Sequence, residues 1–163
     1  MSYFIQLTAF ILTSCLFYES AFSLHVPRFV TLKSNITNLR VGPGMQYPIK
    51  ATYECKNMPL IVIDEQDGWI MAKDVDNKEG WVHSSGIKSA RFAITTANGK
   101  ISLYRLPKQN ARIMSILEKG LIMQVKKCNK DWCLLYDENI KGWILKTNIW
   151  GVFKDEVFGK GLQ

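Results

Sequence analysis

The sequence has few of the residues and none of the motifs on which most enzymatic and metal-binding sites depend. It contains only two histidines and four cysteines, and their spacing fits no zinc-binding pattern. A Walker phosphate loop, a Gly-x-Gly-x-x-Gly fingerprint and a Gly-x-Ser-x-Gly elbow are all missing. We therefore predict a protein that is not an enzyme, with no cofactor, no metal and no catalytic residues.

Long helical patterns are also missing, since no amphipathic periodicity continues for more than a turn or two. Short runs of alternating apolar and polar residues take their place, and glycine, proline, asparagine and aspartate separate these runs. The chain has 163 residues, 47% of them hydrophobic, which is typical of a globular rather than a disordered protein. The sequence therefore predicts an all-β fold.

The N-terminus carries a long apolar run, residues 4–18. It is shorter than the ~20 residues that a transmembrane helix needs, and Ala21 and Ser23 supply small residues at a cleavage position. We predict that residues 1–23 are a cleaved export signal. Two alternatives stay open: an uncleaved anchor, because no Lys or Arg precedes the run, and lipidation of Cys15.

Basic residues outnumber acidic ones, 21 to 14, and the predicted leader contains a single charge, that of Glu19. A surface of this sign favours anionic partners, or simply keeps the protein in solution. Because the lysines are scattered and no arginine-rich tract occurs, we expect no nucleic-acid partner. Contact with a membrane is expected only through an uncleaved leader.

Two hairpins with the same arrangement of tryptophans organise the rest of the chain, at Asp67–Val82 and Asp131–Ile144. In each, one tryptophan opens the first arm and a Gly-Trp pair opens the second. These tryptophans are Trp69 and Trp81 in the first hairpin, and Trp132 and Trp143 in the second. A repeated pattern of this kind indicates a repeated structural unit.

Other positions recur at an offset of 62 to 64 residues along the chain. The matching positions are Arg28-Phe29 with Arg91-Phe92, Leu39 with Leu103, Pro43 with Pro107, and Trp81 with Trp143. We interpret the chain as a tandem duplication of an all-β unit of about sixty residues. Because a unit of this size buries only ~60% of its unfolded surface, we expect the two units to pack together, or one to carry a covalent staple.

Each unit is expected to contain several short strands. The predicted strands are Arg28–Lys33, Ile36–Val41, Ile49–Glu54, Leu60–Asp64 and the two hairpin arms in the first unit, and Ile101–Leu106, Ile113–Leu117, Leu121–Cys128, Trp132–Tyr136 and Gly142–Ile144 in the second. The continuous apolar run Leu60–Ile63 predicts a strand at the centre of the core. The tail, residues 154–163, is predicted to be flexible.

The first unit contains segments that resemble the motifs of a known domain family. Its segments Asn38–Gly44, Tyr47–Pro48 and Gly80–Val82 resemble the motifs of the bacterial SH3-like (SH3b) domain, a small barrel of five to six strands. The second unit resembles the family less closely, because Ser102–Pro107 lacks the glycines of the opening motif while Gly142–Ile144 keeps the closing one.

The chain as a whole is similar to a group of exported, two-domain SH3-like proteins of alphaproteobacterial type. The shared features are Pro27–Val30, the pair Cys128 and Cys133, and Trp150–Val152. The resemblance implies two tandem SH3-like barrels, at residues 27–89 and 90–153, in a protein of the periplasm or cell envelope. It also implies a ligand in the cell wall, either the peptide or the glycan of peptidoglycan.

Cys128 and Cys133 flank four residues of a predicted turn, so that two paired strands would bring them within disulfide reach. Closing so small a ring stabilises a protein by roughly 2 kcal/mol in the loop-entropy model. We prefer a structural disulfide to a redox pair, because a redox pair favours Cys-x-x-Cys at the start of a helix.

Cys55 is left without a partner if Cys15 is removed with the leader. It is interpreted first as a small, buried or half-buried strand residue. An intermolecular disulfide or a nucleophile are the alternatives. A nucleophile would need His25 or His83 as its base, and His83 is expected to cap or pack at the end of a strand.

Aromatic side chains are the candidate ligand-binding residues, because flat rings suit sugars, proline and extended peptides. The candidates are Arg40, Tyr47, Trp69 and Trp81 in the first unit, and Tyr104, Trp132 and Trp143 in the second. We expect the first set to line one shallow groove. Trp81 and Trp143 are predicted to be partly structural, and Trp69 and Tyr47 to be the more exposed pair.

These observations predict an exported, non-catalytic binding module of the bacterial cell envelope, with peptidoglycan or an envelope protein as its partner. The alternative is a module that binds another protein and does not bind the wall. A host protein is included among the partners that this alternative allows. The basic surface and the spare Cys55 favour this alternative. The sequence leaves the ligand and the oligomeric state open.

Overall fold

A computed structural model of the chain describes residues 26–159, which form fourteen β-strands and two single-turn 3₁₀ helices. The strands of the first half are β1 (Arg28–Leu32), β2 (Thr37–Arg40), β3 (Ile49–Tyr53), β4 (Pro59–Gln66), β5 (Trp69–Lys73), β6 (Glu79–His83) and β7 (Ile87–Lys88), with a 3₁₀ helix at Ser84–Gly86. Those of the second half are β8 (Phe92–Thr95), β9 (Ile101–Tyr104), β10 (Ile113–Leu117), β11 (Ile122–Cys128), β12 (Trp132–Asp137), β13 (Ile140–Leu145) and β14 (Ile149–Trp150), with a 3₁₀ helix at Lys146–Asn148.

The strands pair into two antiparallel sheets of seven, with the orders β3-β2-β6-β5-β4-β1-β7 and β10-β9-β13-β12-β11-β8-β14. Each strand of the first sheet therefore has its counterpart seven strands later. The predicted fold class, all-β with two tandem barrels, is confirmed. Each barrel has more strands than the five or six expected, because the short strands β7 and β14 also pair with the sheet.

The predicted leader, residues 1–23, lies outside the described part of the chain. Among the residues that the structure does describe, we find no helix with the length and apolar character to cross a membrane.

Each barrel has its own core, because alternate residues along every strand point inward. The buried apolar residues include Val30, Leu32, Leu39, Leu60, Val62 and Val82 in the first barrel, and Leu103, Leu117, Val125, Leu135 and Ile144 in the second. The prediction that all of Leu60–Ile63 lies in the core is wrong for Ile63, which is 36% exposed. The outer face of the sheet meets solvent, so even an apolar strand exposes some of its residues.

The glycine before the second tryptophan of each hairpin is required because two strands approach closely there. A Cβ at Gly80 would lie 2.7 Å from Cγ of Leu39 and 2.8 Å from the carbonyl oxygen of Arg40. A Cβ at Gly142 would lie 2.6 Å from Cγ of Leu103. A side chain at either position would push the neighbouring strand away and open the barrel.

An aromatic cluster joins the two barrels. The ring of Phe29 in β1 lies 5.0 Å from that of Trp150, edge to face, and 4.8 Å from that of Phe153. The guanidinium carbon of Arg91, the residue just before β8, is 5.6 Å from the centre of the Phe29 ring. Phe29 is only 8% exposed, and residues of both barrels cover it. The two units are thus packed together, as expected of units that are marginal alone.

Arg91 also anchors the segment that follows β14. Both of its terminal nitrogens donate to the carboxylate of Glu156, one of them at 2.9 Å, and one donates to the carbonyl of Gly151 at 2.8 Å. Burial alone would raise the pKa of Glu156, but hydrogen bonds from Arg91 and the Phe153 N–H, with the charges of Arg91 and Lys146, hold it below its usual value. The ammonium group of Lys146, whose pKa burial lowers, donates to the carbonyl of Glu156 at 2.7 Å.

The same segment ends on the second sheet, where Phe158 and Cys128 exchange backbone hydrogen bonds of 2.9 and 3.1 Å. The segment predicted as a flexible tail therefore begins with residues that are docked on the second barrel, up to Gly159. Its remaining residues, 160–163, lie outside the described part. The docking has a physical reason, since the partly buried cations of Arg91 and Lys146 donate to acceptors in this segment.

The predicted disulfide is confirmed. Cys128 and Cys133 lie directly opposite each other in the β11–β12 hairpin, with Cα atoms 4.1 Å apart, and their sulfur atoms are bonded. The two barrels thus pack against each other, and the second barrel also contains a disulfide.

Candidate functional site

The outer faces of the two sheets carry most of the residues predicted to bind a ligand. Arg40 of β2 lies opposite Trp81 of β6, and Tyr104 of β9 lies opposite Trp143 of β13. Both tryptophans are half-buried, as expected of residues that are partly structural. The same surface is therefore formed twice, once in each barrel.

In the first barrel Trp81 lines an open groove of about 270 Å³, which we call the Trp81 groove. Its other lining residues are Arg40, Val41, Lys50, Met71, Glu79 and Gly80. The charged groups here already have partners. The ammonium group of Lys50 donates to the carbonyl of Glu79 at 2.8 Å, and the Glu79 carboxylate lies 3.6 Å from the Lys73 ammonium group.

Trp69 is not the exposed residue that the sequence predicts. It is 8% exposed, and the ring of His83 packs edge to face against it, 5.1 Å between centres. Trp69 instead lines two other hollows, one of about 340 Å³ beside Arg28 and Glu65, and one of about 170 Å³ that shares Arg40 with the Trp81 groove. The prediction that Trp69 is more exposed than Trp81 is wrong, because His83, which lies opposite Trp69 at the end of β6 and caps the 3₁₀ turn, packs its ring against Trp69.

Tyr47 is 38% exposed, as expected, but it does not line the Trp81 groove. Its ring lies where a side chain at Gly42 would be, and its carbonyl accepts a hydrogen bond of 2.6 Å from Arg40. Tyr47 thus holds the Arg40 guanidinium from outside the groove. The four residues predicted to line one groove are therefore separated: Trp81 and Trp69 line different hollows, of which two share Arg40, and Tyr47 lines none of them.

In the second barrel Trp143 lines an open groove of about 460 Å³, which we call the Trp143 groove. Its other lining residues are Arg105, Met114, Lys127, Leu134, Lys141 and Gly142. The Lys127 ammonium group lies 5.3 Å from the centre of the Trp143 ring. Trp132 is 7% exposed and packs perpendicular to Tyr104, 5.5 Å between centres, and neither of these two lines the groove.

The two grooves are built from the same positions of the repeat. The equivalent pairs are Trp81 and Trp143, Met71 and Leu134, Val41 and Arg105, Lys50 and Met114, and Glu79 and Lys141. The sequence motifs point to the tryptophans but not to most of their neighbours in the grooves. A period of two along the strands would have found several of them, since Met71 and Leu134 lie two residues after a first-arm tryptophan and Glu79 and Lys141 two before a second-arm one.

Charge is what separates the two grooves. The Trp81 groove has two cations and one carboxylate in its lining. The Trp143 groove has three cations and no carboxylate. The first therefore presents a mixed surface, and the second a basic one with an aromatic wall.

The chemistry of the remaining candidates is limited. Within residues 26–159 no three His, Cys, Asp or Glu side chains lie close enough to hold a metal ion. Cys55 is exposed just after β3, not buried in a strand, because the chain has already left the sheet there. His83 accepts a hydrogen bond of 3.3 Å from the N–H of Ser85, so it caps the 3₁₀ turn as predicted.

Comparison with known proteins agrees with this architecture. The sequence model of a family described as bacterial SH3 domain matches the chain twice, at residues 33–88 and 97–151. No curated protein matches the chain.

Solved structures of NlpC2 and NlpC1 from Trichomonas vaginalis are similar to the chain with TM-scores of 0.37 and 0.35 and sequence identities of 11% and 10%. The similar regions cover 85% and 78% of this chain, and 52% and 46% of theirs. The chain therefore spans about half the length of these structures.

Proposed function

Because the chain belongs to the bacterial SH3 domain family, we propose that it is a non-catalytic binding module of the cell envelope that recognises peptidoglycan. The observation that carries this proposal is the pair of equivalent grooves, each with a half-exposed tryptophan wall, at the same place in both barrels. A tryptophan face binds the apolar side of a sugar ring or an extended peptide. Flanking charged groups can then bind hydroxyl, amide and carboxylate groups.

Export to the periplasm or cell envelope is part of this proposal. It is supported by the apolar N-terminal run and by the disulfide between Cys128 and Cys133. Disulfides persist in oxidising compartments and are rare in the reducing cytosol.

Retention on purified peptidoglycan sacculi at physiological salt tests wall binding. We expect the protein to sediment with sacculi, and Trp81→Ala and Trp143→Ala each to lower the retained fraction, by about tenfold for a groove that dominates binding. Because both tryptophans are half-buried, folding of the variants is checked by circular dichroism. Lys50→Glu and Lys141→Glu, at exposed lining positions, serve as milder variants, with the exposed Lys100→Glu as control. No retention of the unaltered protein would overturn the proposal.

A second candidate function, recognition of another protein, is favoured by the apolar surface of β10. Ile113, Met114 and Ile116 are 49%, 50% and 47% exposed on a strand at the edge of its sheet. Exposed apolar edge strands commonly pair with a partner chain. If the exposed thiol of Cys55 also takes part, non-reducing gels will show a disulfide-linked species that Cys55→Ser removes.

We also propose that the protein does not hydrolyse peptidoglycan. A cysteine hydrolase would use Cys55 as its nucleophile, and no hydrogen bond links this residue to His83. Incubation with muropeptides is expected to release no product, before or after Cys55→Ala. Product formation that depends on Cys55 would contradict this.

A further inference from the structure

We infer that the Trp143 groove is a carboxylate-binding site whose occupant is an extended peptide segment with several acidic side chains. This inference rests on the proposed function, because it assigns a ligand chemistry to one of the two grooves through which binding is proposed. It assigns none to the Trp81 groove.

The first support is the number of cations without an anionic partner. Arg105 and Lys141 are exposed and Lys127 is half-buried. Among residues 26–159 the ion pairs are three, and none of them involves these side chains. Three cations held together on one surface repel each other, and an anionic ligand removes that repulsion.

The second support is the contrast with the equivalent positions of the first barrel. Lys127 lies opposite Leu134 in the second sheet, as Asp64 lies opposite Met71 in the first. Lys141 likewise takes the place of Glu79. One acidic lining residue of the Trp81 groove, Glu79, and the acidic residue opposite its lining residue Met71, Asp64, are thus lysines at the equivalent positions of the second barrel.

Arg105 extends the same contrast, since the equivalent residue of the first barrel is the neutral Val41. The opposite change occurs at the position of Lys50, where the second barrel has the apolar residue Met114. The cations of the Trp143 groove are therefore gathered around an apolar floor. Such a surface is complementary to a ligand that alternates carboxylates with apolar groups.

The edge strand β10 next to the Trp143 groove favours an extended ligand. Met114, which lines the groove, belongs to β10, and β10 is the outermost strand of its sheet, paired only with β9. The equivalent edge strand of the first barrel, β3, exposes Ile49 as β10 exposes Ile113, but it exposes Lys50 and Thr52 where β10 exposes Met114 and Ile116. A lysine at a sheet edge discourages pairing with another chain. The edge at β10 lacks this protection. An extended peptide can pair with β10 while its side chains reach the groove.

The test uses the purified protein and a fluorescein-labelled decapeptide that alternates glutamate and valine. Its matched control is the same peptide with glutamine in place of every glutamate. By fluorescence anisotropy we expect the glutamate peptide to bind about tenfold or more tightly than the glutamine peptide, with an affinity that falls as salt is raised.

Variants locate the binding. Lys127→Asp with Lys141→Glu, which restores the charges of the first barrel, is expected to weaken binding of the glutamate peptide by about tenfold or more. Lys100→Glu with Lys154→Glu makes the same change of net charge at exposed positions outside the groove, and is expected to change it less than about twofold. Circular dichroism is used to check that both double variants are folded.

Several results would overturn the inference: equal affinity for the two peptides, equal loss in the two double variants, or displacement of the peptide by inorganic phosphate at equal concentration. The last would indicate a general anion site. The same variants on sacculi separate this inference from the proposed function. Sacculus binding without any affinity for the glutamate peptide would refute the inference alone, and peptide binding without sacculus binding would refute wall recognition alone.

Discussion

The two barrels share one strand order and one core pattern, yet each is stabilised by a different additional interaction. In the first barrel, the hydroxyl of Tyr53 donates to the carboxylate of Asp74 at 3.0 Å within the protein interior. In the second barrel the equivalent positions hold Leu117, which is apolar, and Asp137, which is exposed. The polar pair of the first barrel is therefore absent from the second.

The second barrel has the disulfide in its place. Cys128 and Cys133 occupy the positions that Glu65 and Ile70 occupy in the first barrel, where they form an ordinary cross-strand pair. The same strand order is thus kept with a buried hydrogen bond in one barrel and a disulfide in the other. Small barrels need such a supplement because their cores are small.

The largest effect is expected from removing the buried acid of the first barrel. Asp74 is 3% exposed and accepts hydrogen bonds from Tyr53 and from the N–H groups of Asp76 and Lys78, the latter two at 3.0 and 2.8 Å. Asp74→Ala leaves these donors unsatisfied and should lower the free energy of unfolding by about 3 kcal/mol. Denaturant unfolding followed by tryptophan fluorescence measures this.

The matched control is Asp137→Ala, at the equivalent position of the second barrel. Asp137 is exposed, and its carboxylate accepts only the N–H of Glu138, at 2.8 Å. We expect a change below about 0.5 kcal/mol. Equal losses in the two variants would show that the barrels do not differ as described.

An intermediate effect is expected from opening the disulfide. Cys128→Ser with Cys133→Ser should lower the free energy of unfolding by about 2 kcal/mol, because the short ring no longer restricts the unfolded chain. A reducing agent should have the same effect on the unaltered protein. Cys55→Ser, which changes an exposed cysteine, should leave stability unchanged. A reductant that also destabilises the double variant would contradict this assignment.

The smallest effect is expected at the ion pair that docks the C-terminal segment. The pKa of Glu156 is lowered in the folded protein, so the pair contributes stability above the pKa of an unfolded glutamate, ~4.3, and loses it as the pH falls through the lower folded value. Glu156→Gln should therefore cost about 1 kcal/mol at pH 7. The difference from the unaltered protein should shrink below pH 4 in denaturant titrations, and a constant difference across this range would refute the role of the charge.

The sequence predicts the frame of the molecule better than its surface. The repeated tryptophans, the Gly-Trp pairs and the spacing of Cys128 and Cys133 are local signals that specify strands, turns and one covalent bond. Burial of Trp69 depends on His83, fourteen residues later, and on the turn that positions it. Docking of Glu156 likewise depends on Arg91, 65 residues away in the chain. Such contacts exist only once the strands are paired, and no local pattern encodes them.

The candidate site shows the same division. The tryptophans of the grooves are visible as a motif, but Arg105, Lys127 and Lys141 come from three different strands or loops and look like ordinary surface charges in the sequence. Only the register of the strands brings them around Trp143. The first barrel has the opposite charge at two of these positions: Asp64 is equivalent to Lys127, and Glu79 is equivalent to Lys141.

The aromatic junction around Phe29 has a consequence for affinity. A flexible linker would let the two grooves turn independently, and a ligand bound in one would gain little from the other. Because Phe29 is packed against Trp150 and Phe153, the second groove has a fixed position relative to the first. Under the proposed wall binding, a polymer long enough to reach both would meet the second groove at a high effective concentration, and two weak contacts would then act as one strong one.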